Sequence, residues 1–278
     1  MSPVNDDARA TNLAYWEGLA ALHGAGISGG YYDLDALAAG HDPIHEEVAE
    51  TLARAVGAHG VRGLDVLHVQ SHIGIDSVEL ARRGARVTCT DFSPAALAHA
   101  GELARRCGVT LDLVESDSTD LPASLHARFD LAYATVGVLC WISDLDAWMR
   151  SVAACLRPGG RLVLAEIHPL LNMAEHVDPL VLDLPYGFEP GGLTVDEPGS
   201  YADPTAELAH TRATVFGHDL GEIVTAAADA GLRTTHLREF TELSFDPRGD
   251  ELAREDDGRY RWRLSGMPLP VFYGLVAR

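Results

Sequence analysis

Apolar residues recur along this chain in two rhythms. Over residues 11–57 they follow a helical period with two breaks. "TNLAYWEGLAALHGAG" opens at Thr11, a candidate cap, and stops at glycines. "PIHEEVAETLARAVG" places Pro43 in a first helical turn, and "ISGGYYDLDALAAGHD" between the two reads as a loop. From "LDVLHVQ" onward the rhythm changes. Short apolar runs near 64–69, 85–90, 109–115, 129–134 and 160–166 alternate with helical stretches near 75–83, 94–107 and 143–156. Strands alternating with helices predict right-handed crossovers and a mainly parallel sheet.

"LRPGGRLVLAEIHP" reads as a helix end, a turn and a buried strand. Residues 168–216 then lose the alternation and become rich in Pro, Gly and acids, with strand-like pieces such as "LAHTRATVF". That length predicts a structured insertion near the active site. "DLGEIVTAAADAGL", "RTTHLREFTEL" and "PLPVFYGLVAR" return as a helix and two strands. The domain reading is a helical N-terminal segment at 1–57, a core at 58–167, an inserted cap at 168–216 and completion of the core sheet at 217–278.

Composition narrows the function. With 278 residues, 47% hydrophobic and 22% charged, the chain can bury a sizeable core. No apolar run approaches the ~20 residues that cross a bilayer, so no membrane partner is expected. "MSPVNDDARATNLAYWEG" is acidic where a signal peptide is basic and then apolar, which points to the cytoplasm. A formal charge of −20 repels phosphate backbones and argues against a nucleic-acid partner. A small-molecule acceptor is expected instead, and a homodimer is left open. The four cysteines, Cys89, Cys107, Cys140 and Cys155, form no CxxC pair and read as free thiols; no metal site is expected.

The chemistry concentrates in "VLHVQSHIGIDSVELARRGARVTCTDFSP". This is strand, tight turn, helix and second strand, the layout in which ligands meet strand ends and helix N-termini. Gln70, Ser71 and His72 stand where glycine is favoured, and Gly74 alone remains. Asp91 ends the second strand, 17 residues past Gly74, placed to accept hydrogen bonds from ribose hydroxyls or to cap the next helix, a task open to Ser93 as well. Asp117, in "LVESDSTDLP", is placed for a base or its amino group, or is a solvated turn residue.

These segments, with "FDLAYATVGVLCWISDLDAWMRSVAACLRPGGRLVLAEIHP", resemble class I S-adenosylmethionine-dependent methyltransferases over residues 63–168, and less closely over 217–277. "YWEGLAALHG" and "VLHVQSHIGIDSVELARRGA" resemble a bacterial subgroup whose first turn has a glutamine-x-histidine pattern in place of the glycine-rich loop. The resemblance implies an α/β, Rossmann-like, seven-stranded, mainly parallel sheet with a reversed last strand, an N-terminal helical lid and an inserted cap. It also implies S-adenosylmethionine as cofactor. Gln70, Ser71, His72 and Gly74 would surround its methionyl end, Asp91 the ribose, Phe92 the adenine face, and Asp117 and Ser118 the adenine edge. Ala134, Thr135, Val136 and Gly137 would face the sulfonium. His68 replaces the family's acidic residue and reads as a core histidine.

Methyl transfer to a hydroxyl or ammonium needs a general base. His168, Glu166 and His72 are the candidates. Tyr15, Trp16, Tyr31 and Tyr32 could close over the ligands, with Trp141, Tyr186, Phe188 and Tyr201 forming the acceptor pocket. The expected activity is methyl transfer to a small molecule. The alternative is a cyclisation of the cofactor itself that releases methylthioadenosine.

Overall fold

The structure, a computed structural model, describes residues 3–26, 30–177, 180–187, 191–203, 205–248 and 252–278. Its main sheet has seven strands: β1 (Asp65–Val69), β2 (Arg86–Asp91), β3 (Leu111–Glu115), β4 (Phe129–Thr135), β5 (Leu156–Ile167), β6 (Thr234–Phe240) and β7 (Phe272–Ala277). Their order is β6-β7-β5-β4-β1-β2-β3, with β7 antiparallel to both neighbours and the pairs among β1 to β5 parallel. β1, β4 and β7 are buried along nearly their whole length, while β3 and β6, at the edges, are largely exposed. Continuous apolar runs with no alternation are what strands covered on both faces require.

Helices α1 (Pro3–Ala25), α2 (Leu34–Ala38), α3 (Glu46–Val56), α4 (Ile75–Arg82), α5 (Pro94–Cys107), α6 (Leu145–Cys155) and α7 (Leu220–Asp229) surround the sheet. One apolar layer joins α6 and α7 to the sheet around Leu67, Trp148, Leu164 and Ile223. The other joins α3, α4 and α5 to it around Val66, Leu52, Leu80 and Leu97. The starts of α5, α6 and α7 are fixed by side-chain caps, of which Ser93 was expected from the sequence. Ser93 accepts from the Ala96 N–H at 3.0 Å, Asp144 from Ala147 at 2.8 Å and Asp219 from Glu222 at 2.9 Å.

Several boundaries differ from expectation. Thr11 lies inside α1, because the preceding residues continue the helix with no break. α3 begins three residues after Pro43, and its cap position is His45. Within the expected loop, Asp33 accepts from the Ala36 N–H at 2.8 Å and nucleates the short α2. The turn expected at "RPGG" is absorbed into β5 as a register jump against β4, between the pairs Phe129–Leu156 and Leu131–Arg161. The segment after β5 forms one helical turn (Pro169–Asn172) and two hairpins, Ala174–Val177 with Leu180–Leu182 and Leu193–Asp196 with Arg212–Val215.

α1 packs across α5 and against the strand Arg212–Val215. The Asn12 side chain holds that strand by both ends of its amide: Nδ2 donates to the Thr214 carbonyl at 2.8 Å and Oδ1 accepts its N–H at 2.7 Å. Glu17 accepts from Ser93 Oγ at 2.5 Å and from the Ala95 N–H at 3.3 Å, placing a carboxylate at the N-terminus of α5. Among the described residues no helix is long and apolar enough to cross a membrane.

Candidate active site

At the carboxyl edge of the sheet lies a cavity of about 1430 Å³. Cavities for one drug-sized ligand run to about 300–1,000 Å³, so there is room here for two ligands side by side. Its floor is the turn between β1 and α4. Gln70 and His72 adopt φ of 54° and 50°, and Gly74 φ of 77°. Two side-chain-bearing residues therefore occupy the left-handed region that glycine ordinarily serves. At Gly74 no substitute would fit, since a Cβ there would stand 2.8 Å from the Ala100 Cβ.

Asp91 keeps this strained turn in place. Its Oδ2 accepts the His72 N–H at 2.8 Å and its Oδ1 the Ser93 N–H at 2.9 Å. The helix cap is Ser93, so the two readings of Asp91 separate: it braces the turn and lines the cavity without capping α5. Burial pushes its pKa up to about 6, against the pull of the backbone donors of Ser93, His72 and Phe92. A carboxylate offers about four lone-pair sites, and two bonds leave acceptor capacity toward the cavity. Phe92 and Ser71 also line it, and the buried Ser71 hydroxyl has no hydrogen-bond partner among the described residues.

Gln70 lines the same floor, but its side chain is committed elsewhere. Oε1 accepts from Trp148 Nε1 at 2.9 Å and Ser118 Oγ at 3.0 Å, and Nε2 donates to the Val138 carbonyl at 3.2 Å. It ties the tips after β1, β3 and β4 together, and Ser118 is held through it. Asp117 Oδ1 accepts from the Thr119 N–H and hydroxyl, at 2.9 and 2.7 Å, while Oδ2 pairs with Arg9 Nε of α1 at 2.7 Å.

The candidate bases separate clearly. His72 lines the cavity, and its Nε2 lies 2.7 Å from Nδ1 of His23, whose Nε2 lies 2.7 Å from Ser200 Oγ. Burial, then the nearby His23 and His99, hold the His72 pKa well below the usual range; burial lowers His23 to about 4. Glu166 is turned away, spent on the backbone after β4. Oε2 accepts from Gly137 and Ile167 at 2.8 and 3.1 Å, and Oε1 from Leu139 at 3.0 Å and from Val138. His168 is outside the cavity wall as well. Its Nδ1 accepts the Leu170 N–H at 3.0 Å as a helix cap, and Nε2 is 2.9 Å from Glu239. Both ring nitrogens being engaged, it has none left for a substrate. His68 is a buried histidine bonded to Ser77 Oγ at 2.7 Å.

Trp16, Tyr31, Tyr32, Trp141 and Tyr201 line the cavity as expected. Trp16 meets Trp141 edge-on at 5.1 Å and His72 at 5.1 Å, while the Tyr32 and Tyr201 hydroxyls stand 2.6 Å apart. Tyr15 lies behind this wall, packed at 6.0 Å on Trp141 beside Leu19 and Ala213. Tyr186 is a surface residue away from the cavity. Phe188 lies outside the described residues.

Three contributors escaped sequence reading. Arg9, Asn12 and His23 join the already expected Trp16 on one face of α1, spaced by three, four and seven residues, and deliver the helix to the site. Residues 41–46 before and at the start of α3 extend the cavity at its far end. Asp76, in the first turn of α4, receives the Tyr133 hydroxyl at 2.6 Å and Thr135 Oγ1 at 3.1 Å on a single oxygen, Oδ2.

Residues 67–162 match the family model described as a methyltransferase domain. Over that stretch, about a third of the chain, the sequence is similar to a methyltransferase domain. Over 113 residues it is 31% identical to the ubiquinone biosynthesis O-methyltransferase of Methylobacterium sp. (strain 4-46), covering 41% of this chain and 45% of that protein. Over 104 residues it is 36% identical to the demethylmenaquinone methyltransferase of Mycobacterium marinum, covering 37% of this chain and 42% of that protein. The alignments thus span less than half the length of either relative. An S-adenosylmethionine-dependent methyltransferase from Mesorhizobium loti superposes with TM-score 0.52 at 21% identity, over 84% of this chain and 98% of that one. At that identity the likeness is one of fold. The shared fold includes the seven-stranded sheet with its reversed last strand that the resemblance implied.

Proposed function

We propose that the chain is an S-adenosylmethionine-dependent methyltransferase acting on a small-molecule acceptor. The observation that carries this reading is Asp91. It is a buried carboxylate at the end of β2, fixed by two backbone donors, lining a two-ligand cavity and retaining acceptor capacity toward it. The residues present fit the cofactor. Asp91 would hold the ribose hydroxyls and Phe92 the adenine face. Asp117 would meet the adenine edge in competition with Arg9. Ser71, whose hydroxyl has no hydrogen-bond partner among the described residues, and the His72 ring would stand at the methionyl end. Gln70 contributes by bracing the tips around the cavity.

The bound cofactor supplies an electrophilic methyl group on a sulfonium. The protein's part is then alignment and exclusion of water, which the roof of Trp16, Tyr31, Tyr32, Trp141 and Tyr201 performs. Glu166 positions the backbone of residues 137–139 next to the expected sulfonium side.

Calorimetric titration with S-adenosylmethionine, with NAD as control, tests the reading. Micromolar binding of the first alone is expected, and Asp91→Ala should weaken it by about 1–3 kcal/mol. Turnover should release S-adenosylhomocysteine. Equal binding of NAD, or methylthioadenosine as the product, would overturn it.

A further inference from the structure

The cavity is strongly asymmetric in charge. Among the described residues that line it, eight are acidic and one, Arg9, is cationic, and Arg9 is paired with Asp117. An anionic acceptor would find no free cation there.

Asp76 is the acid best placed to meet an acceptor. Its Oδ2 is fixed by two hydroxyls of β4, Tyr133 and Thr135, while its Oδ1 has no hydrogen-bond partner among the described residues. Tyr133 is fully buried, so this support is rigid. Asp76 and Thr135 line the cavity together, along with Asp42 and the residues before α3. Burial holds the Asp76 carboxyl above its usual range against the pull of Tyr133 and Thr135; Asp42 adds to the rise and Arg83 opposes it. Arg83 is itself bound to Asp42 and to Glu79. Tyr31 and Tyr32 line the same cavity as Asp76, so aromatic rings and carboxylate face one space. A fixed carboxylate beside aromatic faces is the arrangement that recognises an ammonium on an apolar body.

Resting on the methyltransferase reading, we propose that the acceptor is a primary or secondary amine on an apolar or aromatic body, bound as its ammonium by Asp76. An N–H proton passes to Asp76 Oδ1 and frees the nitrogen lone pair. The N–C bond then forms as the S–C bond breaks, its electron pair remaining on sulfur. Asp76 gives the proton to solvent when the product leaves.

The test is a titration of the purified protein with phenethylamine and tryptamine, each with and without S-adenosylhomocysteine. 2-Phenylethanol and phenylacetate serve as the neutral and anionic counterparts. At least one amine should bind tenfold or more tighter than both counterparts, and its affinity should fall as the pH is lowered and Asp76 takes a proton. Asp76→Asn should lower amine affinity at least tenfold and leave S-adenosylhomocysteine affinity within twofold. An alcohol or acid that binds as tightly as both amines overturns the proposal, as does an amine affinity unchanged in Asp76→Asn. The ligand comparison and pH series on the wild type decide it even if the variant does not fold. Absence of S-adenosylhomocysteine binding would overturn the methyltransferase reading, while the titrations without it would still report on Asp76.

Discussion

The rings of His72 and His23 are joined Nε2 to Nδ1 at 2.7 Å, so one of these two nitrogens carries no proton and one ring at least is neutral. The pair links the turn after β1 to α1, and through Ser200 to the segment after β5. Unfolded, His23 would take a proton near pH 6.5, whereas in the fold burial delays this to about 4. Between those values the unfolded chain binds more protons. The contribution is therefore intact above about pH 6.5 and is lost as the pH falls toward 4. It amounts to at most about 3 kcal/mol. Thermal melts from pH 7.5 to 4.5 should show the wild type losing stability more steeply than His23→Gln. Parallel curves would remove His23 from the account.

Tyr32 and Tyr201 bring α2's leading loop and the insertion together through one hydroxyl pair. Replacing either by Phe should cost about 0.5–1.5 kcal/mol. The double variant should cost less than the sum of the two, because the second removal finds the bond already gone. Urea unfolding of the four proteins measures the coupling, and strict additivity would mean that the bond contributes nothing.

Glu166→Gln should destabilise the fold by about 2–5 kcal/mol, since an amide cannot accept four backbone N–H groups and each buried donor left unpaired costs about 1–3 kcal/mol. Denaturant unfolding gives the number. A loss below 1 kcal/mol would mean that the loop after β4 is held by other contacts.

His168→Ala should remove a helix cap, at about 1 kcal/mol, and leave the affinity for S-adenosylhomocysteine within twofold. Melting and calorimetry on one preparation separate the two effects. A collapse in affinity with unchanged stability would return His168 to the site.

The legible part of the molecule was what local sequence dictates. The alternation of apolar runs with capped helices gave the strands, and "CTD" at the end of β2 put Asp91 at the cavity. The glycine-poor turn proved to keep glycine's backbone conformation at Gln70 and His72, held by Asp91. Side-chain direction was the harder part. His168 does stand at the sheet's carboxyl edge, but its ring turns to Leu170 and Glu239. Asp76 reads locally as an ordinary first-turn acid that complements a helix dipole. Its meaning comes from Tyr133, which lies 57 residues further along the chain. Gln70 lines the cavity, but Trp148, 78 residues away, claims its oxygen, a partner no local pattern reveals.

The two-ended amide clamp between Asn12 and Thr214 joins residues 202 positions apart. During synthesis α1 precedes that strand by five of the seven strands of the main sheet, β1 to β5, and must wait for them before the grip can form. The cavity floor can therefore fold on the ribosome before this clamp fixes α1, with Arg9, Asn12 and Trp16, at the cavity wall.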